Sequence, residues 1–371
     1  MVVARTRSPL ADGVAALLMR IALADLPSMD LRGSAVLATG LVGDDAIVPQ
    51  LVALVRDETA ERSLRANACT ALAKLGGASA VPVLAEITLS GSALLAPAAA
   101  AGLGMACAPG DESALRTLTN AASSSDRAML SAAIAALGEI KSPRSVTALE
   151  SIVQKGDNFA SAQAAISLAL ALGTTANGRQ LELLAAALKT CGNQEDRPAF
   201  TLALAIVHHP DAAAEIESVL TRKNPDRELA WHHCTAAGVL GDRRLVEALS
   251  PWVRQSRDPA LRQKASQALA ALHSEPLLPD LLDVLSESKA NQTSLFATLG
   301  AIATIGDARA IAPLTKLLGK DAGLPELSRA AVFSAFGLLA DKDSEPLLQR
   351  WRHGVQPAAA GAVVRSLLRV H

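Results

Sequence analysis

A repeat of about 33 residues runs through the chain and limits the folds open to it. The stretches "LVGDDAIVPQLVALV" (41–55) and "TIGDARAIAPLTKLL" (304–318) nearly coincide, and "KLGGASAVPVLAEIT" (74–88) is a fainter copy. A fixed period between about 20 and 50 residues is typical of a solenoid, in which each unit stacks on its neighbours. The last apolar residue before each turn, the anchor, recurs every 31 to 35 residues, at Val42, Leu75, Ala106, Ile140, Leu172, Val207, Leu240, Leu272, Ile305 and Leu339.

Each repeat carries two helical patterns. In the second pattern, small or apolar residues stand seven, four and three positions before the anchor, as in Ala68, Ala71 and Leu72. That spacing places them on one buried stripe of a helix. In the first pattern a proline lies seven or eight residues past the anchor, near a helix start, where proline is tolerated. These prolines are Pro49, Pro82, Pro279, Pro313 and Pro346.

Charged residues recur at the start of the second helix. Arginine stands ten residues before the anchor in five repeats, at Arg32, Arg65, Arg197, Arg262 and Arg329. Aspartates come just ahead of several of these helices, among them Asp57, Asp258 and Asp321. An aspartate there would cap the helix and lie close to an arginine one turn further on. The pattern predicts a structural Asp–Arg ladder that keeps stacked repeats in register.

Composition favours an all-helical chain without a nucleic-acid partner. Aromatic residues make up 2% of the 371 residues, tyrosine is absent, and the formal net charge is −1. Alanine and leucine supply most of the apolar surface and form helices readily. Proteins that hold a nucleic-acid backbone usually carry a basic surplus or stripe, which this chain lacks.

Neither a membrane span nor a secreted protein is expected. No run of 18 uncharged apolar residues occurs, and Asp12 and Arg20 interrupt the apolar N-terminal stretch, which favours an amphipathic first helix over a signal peptide. The four cysteines lie far apart and form no CxxC pair. This pattern is typical of reduced thiols in a reducing compartment. We therefore expect a cytoplasmic protein.

Four segments combine an arginine-bearing or apolar helix start with a stripe of small residues, and two of them end in Gly–Gly or Gly–Asp. They are "SLRANACTALAKLGG" (63–77), "ALRQKASQALAAL" (260–272), "TSLFATLGAIATIGD" (293–307) and "ELSRAAVFSAFGLLAD" (326–341). They resemble HEAT repeats of the phycobilisome-lyase-like kind. The resemblance implies a right-handed α-solenoid of about eleven helix pairs, continuous over 1–371, with capping units at 1–42 and 342–371. The unit at 78–110 is degenerate, because Pro97, Gly102 and Gly104 interrupt its helix pattern. It is a candidate hinge, and the alternative is simple sequence drift in a tolerant array.

A cluster of histidines raises the question of a metal site. Zinc ligands must lie about 2 Å from the metal, but 208–209 and 232–233 are expected to lie roughly 12 Å apart along adjacent helices. Cys234 shares the register of Cys69, Ile134, Leu299 and Phe333, a predicted core position. The sequence therefore favours no metal and no cofactor. The five histidines of this region are His208, His209, His232, His233 and His273.

Enzymes exist among proteins that resemble this repeat, but their signatures are missing. Deoxyhypusine hydroxylases of this kind hold iron through His–Glu dipeptides, and no histidine here precedes a glutamate. Alkylpurine DNA glycosylases of this kind need a basic, aromatic-lined groove. No catalytic residues are assigned. The open alternative is a lyase-like or other ligand-handling enzyme with a site near residues 208–235.

The leading hypothesis is a non-catalytic scaffold that binds a protein partner, whether a peptide, a helix or a folded domain. In HEAT-like arrays the second helices line the concave face, where the positions nine, eight and five before the anchor point outward. Trp231 is the candidate centre of contact, because tryptophan is enriched at binding hot spots; the alternative is that it packs against a neighbouring helix. The predicted contact residues are Trp231, His232, Thr235, Gln263, Lys264 and Gln267.

The C-terminal end is basic and has no acidic residue after Glu345. Such a segment would suit an anionic partner or membrane surface. A polar cap that keeps the last repeat soluble explains the same pattern, and we favour the cap. The basic residues concerned are Arg350, Arg352, Arg365 and Arg369.

Overall fold

The computed structural model describes residues 13–24, 28–90, 92–223, 226–255, 258–272, 278–287, 292–319 and 323–340. Regular structure within them is helical, and the all-α solenoid fold is confirmed. The helices are α1 (Val14–Leu23), α2 (Met29–Val42), α3 (Val48–Arg56), α4 (Arg62–Leu89), α5 (Leu95–Ala106), α6 (Glu112–Ala121), α7 (Arg127–Ile140), α8 (Pro143–Lys155), α9 (Asn158–Leu172), α10 (Gly178–Thr190), α11 (Arg197–Ile206), α12 (Pro210–Leu220), α13 (Arg227–Leu240), α14 (Val246–Gln255), α15 (Pro259–Ala271), α16 (Leu278–Glu287), α17 (Gln292–Ile305), α18 (Ile311–Leu317) and α19 (Glu326–Ala340).

The chain divides into two compact units, Met1–Leu172 and Gly173–His371. In the first unit the second helices of successive repeats, α2, α4, α5, α7 and α9, pack one against the next. In the second unit α11, α13, α15, α17 and α19 do the same. Each first helix packs against the second helix of its own repeat, as α12 does against α13. The continuity of the array over 1–371 stays a prediction.

The repeated Gly–Asp sequence forms the same type of turn at three places in the chain. Gly43 ends α2 in the left-handed region at φ 82°, which glycine adopts without strain. The Asp44 side chain then accepts a hydrogen bond of 3.0 Å from the Ala46 N–H and starts a short 3₁₀ turn. The turn leads directly into α3. The same glycine and aspartate roles fall to Gly241 and Asp242 and to Gly306 and Asp307.

Neighbouring second helices approach each other closely through small residues. A methyl group on Gly104 would lie 2.6 Å from the Cα of Ala136 on the next second helix. The equivalent distance from Gly40 to the Ala71 Cα is 2.9 Å. The residue two before the anchor thus faces the residue four before the next anchor. That first position is small in all but one repeat, with Gly40, Ala73, Gly104, Gly138, Ala205, Gly238, Ala270, Ala303 and Gly337.

Helix α4 contains a break. By length and composition Arg62–Leu89 could cross a membrane, and it is the one such helix in the described ranges. Its backbone leaves the helical region at Gly77, at φ 45° and ψ −130°, so it consists of two helices from successive repeats. Each is shorter than the about 20 residues that a span needs. Of its most apolar window 56% is buried inside the protein, as expected of core helices.

The degenerate repeat at 78–110 contains helix α5. Helix α5 is continuous, and Pro97 lies in its first turn, where the missing N–H has no partner to lose. Gly102 and Gly104 are buried and let neighbouring atoms come close, the Cys69 carbonyl oxygen in the case of Gly102. The glycines therefore serve packing, and the hinge stays a prediction.

One predicted core position is exposed. Phe333 in α19 stands six residues before its anchor and is 60% exposed, whereas the equivalent residue of the nine preceding repeats is at most 2% exposed. Helix α19 is the last second helix that the structure describes. The predicted C-terminal cap, 342–371, lies outside the described residues. The nine buried equivalents are Val36, Cys69, Ala100, Ile134, Ile166, Thr201, Cys234, Ser266 and Leu299.

Replacing Gly104 with alanine is expected to lower the free energy of unfolding by about 1–3 kcal/mol, because the added methyl meets backbone that cannot move aside. Gly300→Ala is the control. Its methyl has no atom within 4 Å, and alanine favours a helix interior over glycine by about 1 kcal/mol. Urea unfolding followed by circular dichroism measures both. Equal effects of the two substitutions would contradict close packing at Gly104.

Candidate functional site: the Trp231–Lys264 surface

Two of the predicted contact residues lie against each other. Trp231 belongs to α13 and Lys264 to α15, and these helices pack side by side. The Lys264 Nζ lies 4.6 Å from the centre of the Trp231 ring, a cation–π contact. Both side chains are half-buried. The tryptophan thus packs partly on a neighbouring helix and keeps part of its surface in solvent.

The remaining predicted residues lie on the same two helices. His232 meets the Trp231 ring edge-on, with ring centres 5.0 Å apart and planes at 89°. The Thr235 hydroxyl donates a hydrogen bond of 3.2 Å to the Trp231 carbonyl oxygen, so it is committed to its own helix. Gln263 is half-buried and Gln267 is exposed. We call these six residues the Trp231–Lys264 surface.

The ammonium group of Lys264 has no acidic partner. No carboxylate in the described ranges lies within ion-pair distance of it, and its electrostatic surroundings are set by burial and by Cys234. Burial lowers the pKa of Lys264, because the charged form loses water. Lys264 has therefore lost part of its water, and among the described residues the face of the Trp231 ring is what it meets instead.

Directly beneath this surface lies a buried histidine, His233, at a position that is alanine in most repeats. Its Nδ1 is 2.7 Å from the Leu229 carbonyl oxygen, which can only accept, so Nδ1 carries the proton. Its Nε2 is buried and has no hydrogen-bond partner among the described residues. Burial lowers the pKa of His233 to about 4, and Glu215 partly opposes this. The ring is therefore neutral at physiological pH.

Two arginines of the predicted ladder bond to main-chain carbonyl groups of the preceding helix. Arg65 Nε donates a 2.9 Å hydrogen bond to the Val55 carbonyl, and Arg32 Nε does the same to Ala22 at 2.9 Å. In each case the acceptor lies in the last turn of the preceding first helix, where carbonyl groups lack helical partners. These bonds tie the two helices of one repeat together.

Arg197 shows the same contact in weaker form and adds an ion pair. Its Nη1 lies 3.4 Å from the Leu188 carbonyl, and its Nε and Nη2 bind both oxygens of Glu215 at 2.5 and 2.8 Å. This bidentate pair lowers the pKa of Glu215. Arg262 lies half-buried in α15 and Arg329 exposed in α19.

The predicted ladder aspartates have different roles. Asp57 ends α3 and accepts hydrogen bonds from the Thr59 N–H at 2.9 Å and from the Thr59 hydroxyl at 2.6 Å. Asp258 caps α15 through the Ala260 N–H at 3.0 Å and pairs with Arg227 of the preceding second helix. Asp321 lies outside the described residues. A pair such as Asp258–Arg227 links two repeats, but the ladder as a whole stays a prediction.

Of the other histidines, His208 and His209 lie within the described residues. The His209 Nδ1 accepts a hydrogen bond of 3.1 Å from the Asp211 N–H and caps α12. His208 is exposed at a positive φ of 55°. His273 lies outside the described residues. Across the described ranges, no three His, Cys, Asp or Glu side chains come together as metal ligands would.

The cysteines behave as packing residues in the described structure. Cys69 and Cys234 are fully buried, and burial raises the pKa of each to about 12. A thiol with so high a pKa is neither a nucleophile nor a ready metal ligand. The four cysteines are free. Cys234 thus fills the core position that the sequence assigned to it.

The first unit contains a cleft that the sequence analysis did not predict. The cleft has a volume of about 350 Å³ and lies between α2 and α4. Gly33 opens it, because a methyl group there would come within 2.6 Å of the Asn67 amide nitrogen. The one sequence feature that could have indicated the cleft is Gly33 itself, nine residues before its anchor. The lining residues are Met29, Asp30, Gly33, Ser34, Leu37, Ser63 and Asn67.

Comparison with known families agrees with this architecture. Residues 17–104 and 90–169 match the family model for HEAT repeats. Residues 17–169 therefore consist of HEAT repeats, and the chain has the helical-repeat fold of HEAT-like proteins. The matched segments cover the first unit from α1 to α9, with its succession of close-packed second helices. No curated protein matches the chain in sequence.

Several solved structures resemble the chain. Human deoxyhypusine hydroxylase is 18% identical, with 70% of this chain and 96% of that one covered and a TM-score of 0.33. The CpcE–CpcF phycocyanin lyase of Nostoc sp. PCC7120 is 18% identical over 80% and 94%, with a TM-score of 0.38. Kap95p bound to RanGDP is 14% identical over 95% and 55%, with a TM-score of 0.48. This chain therefore spans about half the length of Kap95p.

Acid is expected to destabilise the protein through His233. Its pKa in the folded state, about 4, lies below the ordinary value of 6.5, so between these values the unfolded chain binds a proton that the folded chain does not. Stability at neutral pH is therefore lost as the pH falls from about 6.5 to 4, by about 3 kcal/mol in total from this one group.

The His233→Gln variant removes this contribution while its amide can still donate to Leu229. Urea unfolding at pH 7 and at pH 4 should show a smaller loss of stability in the variant than in the wild-type protein. His209→Asn, which keeps a helix-capping acceptor, is the control and should follow the wild type. An identical pH dependence of His233→Gln and wild type would contradict the buried neutral ring.

Proposed function

We propose that this helical repeat protein is a non-catalytic scaffold that binds a protein partner on the Trp231–Lys264 surface. The observation that carries the proposal is the Trp231 ring, held by Lys264 on its face and by His232 at its edge. A large side chain that is already fixed loses little conformational entropy when a partner binds. Tryptophan in such a position is a typical hot spot.

The surroundings of the ring support the same proposal. Binding sites between proteins combine an aromatic centre with a polar rim. Here Gln263, Gln267 and His232 supply polar groups beside the ring. The cysteines are free thiols, which supports a reducing, cytoplasmic location as part of the proposal. A partner segment lying across α13 and α15 would contact all six residues of the surface.

The lyase-like alternative gains no support from the contacts near residues 208–235. It requires histidines that are available to a ligand. Two of them have structural roles, because His209 caps α12 and His233 is buried with its Nδ1 bound to Leu229. The basic C-terminal end, proposed from sequence as a polar cap, lies outside the described residues.

Peptide selection tests the proposal. A displayed library of random 12-residue peptides is selected on the full-length wild-type protein, and dissociation constants are measured for the enriched peptides. Trp231→Ala should weaken binding by about 30-fold or more, the loss expected at a hot spot. Ile311→Ala removes a side chain that is 47% exposed on a first helix of the same unit and should change nothing.

Circular dichroism must show that the three proteins are equally helical. Peptides that bind wild type and both variants alike would place the contact elsewhere. A selection that yields no peptide dependent on Trp231 would overturn the proposal.

A further inference from the structure

We propose that the partner presents a carboxylate to Lys264, so that the Trp231–Lys264 surface recognises an acidic segment with an apolar side chain beside the acid. This inference rests on the proposed function and adds the chemistry of the partner. It follows from the charge left unpaired at this surface, from the amides beside it and from the ring on which the charge lies.

Lys264 differs from several basic residues of the same unit. Four exposed cations there stand next to carboxylates within the chain. Lys189 lies 3.2 Å from Asp211, Arg244 lies 2.6 Å from Asp242, and Arg227 and Arg309 pair with Asp258 and Asp307. Lys264 has no such acid among the described residues, although it is more buried than these four. Its charge is therefore available to a partner.

A carboxylate would gain more at Lys264 than at a fully hydrated lysine. The ammonium has already lost part of its water to α13 and α15, so little further desolvation is needed when an anion arrives. Charge-assisted hydrogen bonds are shorter and stronger than neutral ones. A basic partner would be repelled at the same place and would also compete for the Trp231 face.

The amides of α15 extend the anion site along the helix. Gln263 directly precedes Lys264. Gln267 follows Gln263 by four residues, so the two glutamines lie on one face of the helix. No hydrogen bond of either side chain is recorded within the described chain. On this proposal their N–H groups donate to the second carboxylate oxygen and to the partner's main chain.

Two acids lie near the surface and do not occupy it. Asp258, at the start of α15, is engaged by Arg227 and by the helix N-terminus. Glu228 lies one turn before Trp231, in the first turn of α13, where a negative charge stabilises the helix. A single lysine with two neutral amides balances one carboxylate. A dianionic phosphate would need further cations, so the partner group is assigned as an Asp or Glu side chain.

The test uses the peptides selected on the wild-type protein. Asp and Glu should be enriched in those that depend on Trp231. For the tightest such peptide, each acid is replaced by its amide, and binding of both peptides is measured to wild type, Lys264→Met and Lys264→Glu at low and moderate salt. Methionine keeps an apolar side chain against Trp231, and Lys316→Glu, an exposed lysine of α18, is the control.

On the wild type, the amide peptide should bind about ten-fold or more weakly than the acidic peptide, and the gap should shrink with salt. On Lys264→Met the two peptides should bind alike, and on Lys264→Glu the amide peptide should bind better. Lys316→Glu should behave as wild type.

Two results separate this inference from the proposed function. If binding depends on Trp231 but the peptides show no acidic enrichment, or the gap persists in Lys264→Met, the carboxylate inference is wrong and the scaffold proposal stands. If no selected peptide depends on Trp231, both are overturned.

Discussion

The close approach of neighbouring second helices constrains the composition of this chain and the side chains on its helix faces. A glycine or alanine two residues before the anchor faces a small residue of the next repeat, and at Gly104 and Ala136 there is no room for one more methyl group. Packing at this distance leaves few side-chain positions between helices for aromatic residues. It therefore accounts for a chain that is half apolar yet 2% aromatic, and for second-helix faces made mostly of small side chains.

The starts of α13 and α15 depart from this pattern of small side chains. The positions nine and eight before the anchor hold Gly33 and Ser34 in the first repeat but Trp231 and His232 in α13, and Gln263 and Lys264 in α15. Large side chains there cannot enter the tight contact between helices, so they lie over it and stack on each other. The stacking fixes Trp231, and the same burial removes water from Lys264. A rigid ring beside an unpaired cation is thus a consequence of how closely the helices beneath are packed.

Sequence reasoning succeeded where structure is local. The Gly–Asp turn and the buried stripe follow from spacing within one repeat, so α2, α13 and α17 could be placed with their core faces. Contacts between repeats could not be derived in this way. Hydrogen bonds from Thr59 and the charge of Arg65 lower the pKa of Asp57, a predicted ladder partner. The bond of Arg65 to the Val55 carbonyl, however, depends on where α3 ends in space. Lys264 and Trp231 are 33 residues apart, so their contact depends on how α13 and α15 pack. The exposure of Phe333 shows that register alone does not decide burial.

The most direct test of the account is hydrogen exchange measured by mass spectrometry on the intact chain, because exchange reports the local free energy of opening. If stacking of second helices holds each unit together, the amides of α5 and α7 should exchange more slowly than those of the first helices α6 and α8 in the same unit. If α6 and α8 are protected as strongly as α5 and α7, or more strongly, the stack of second helices is not the stabilising element, and the central claim is wrong.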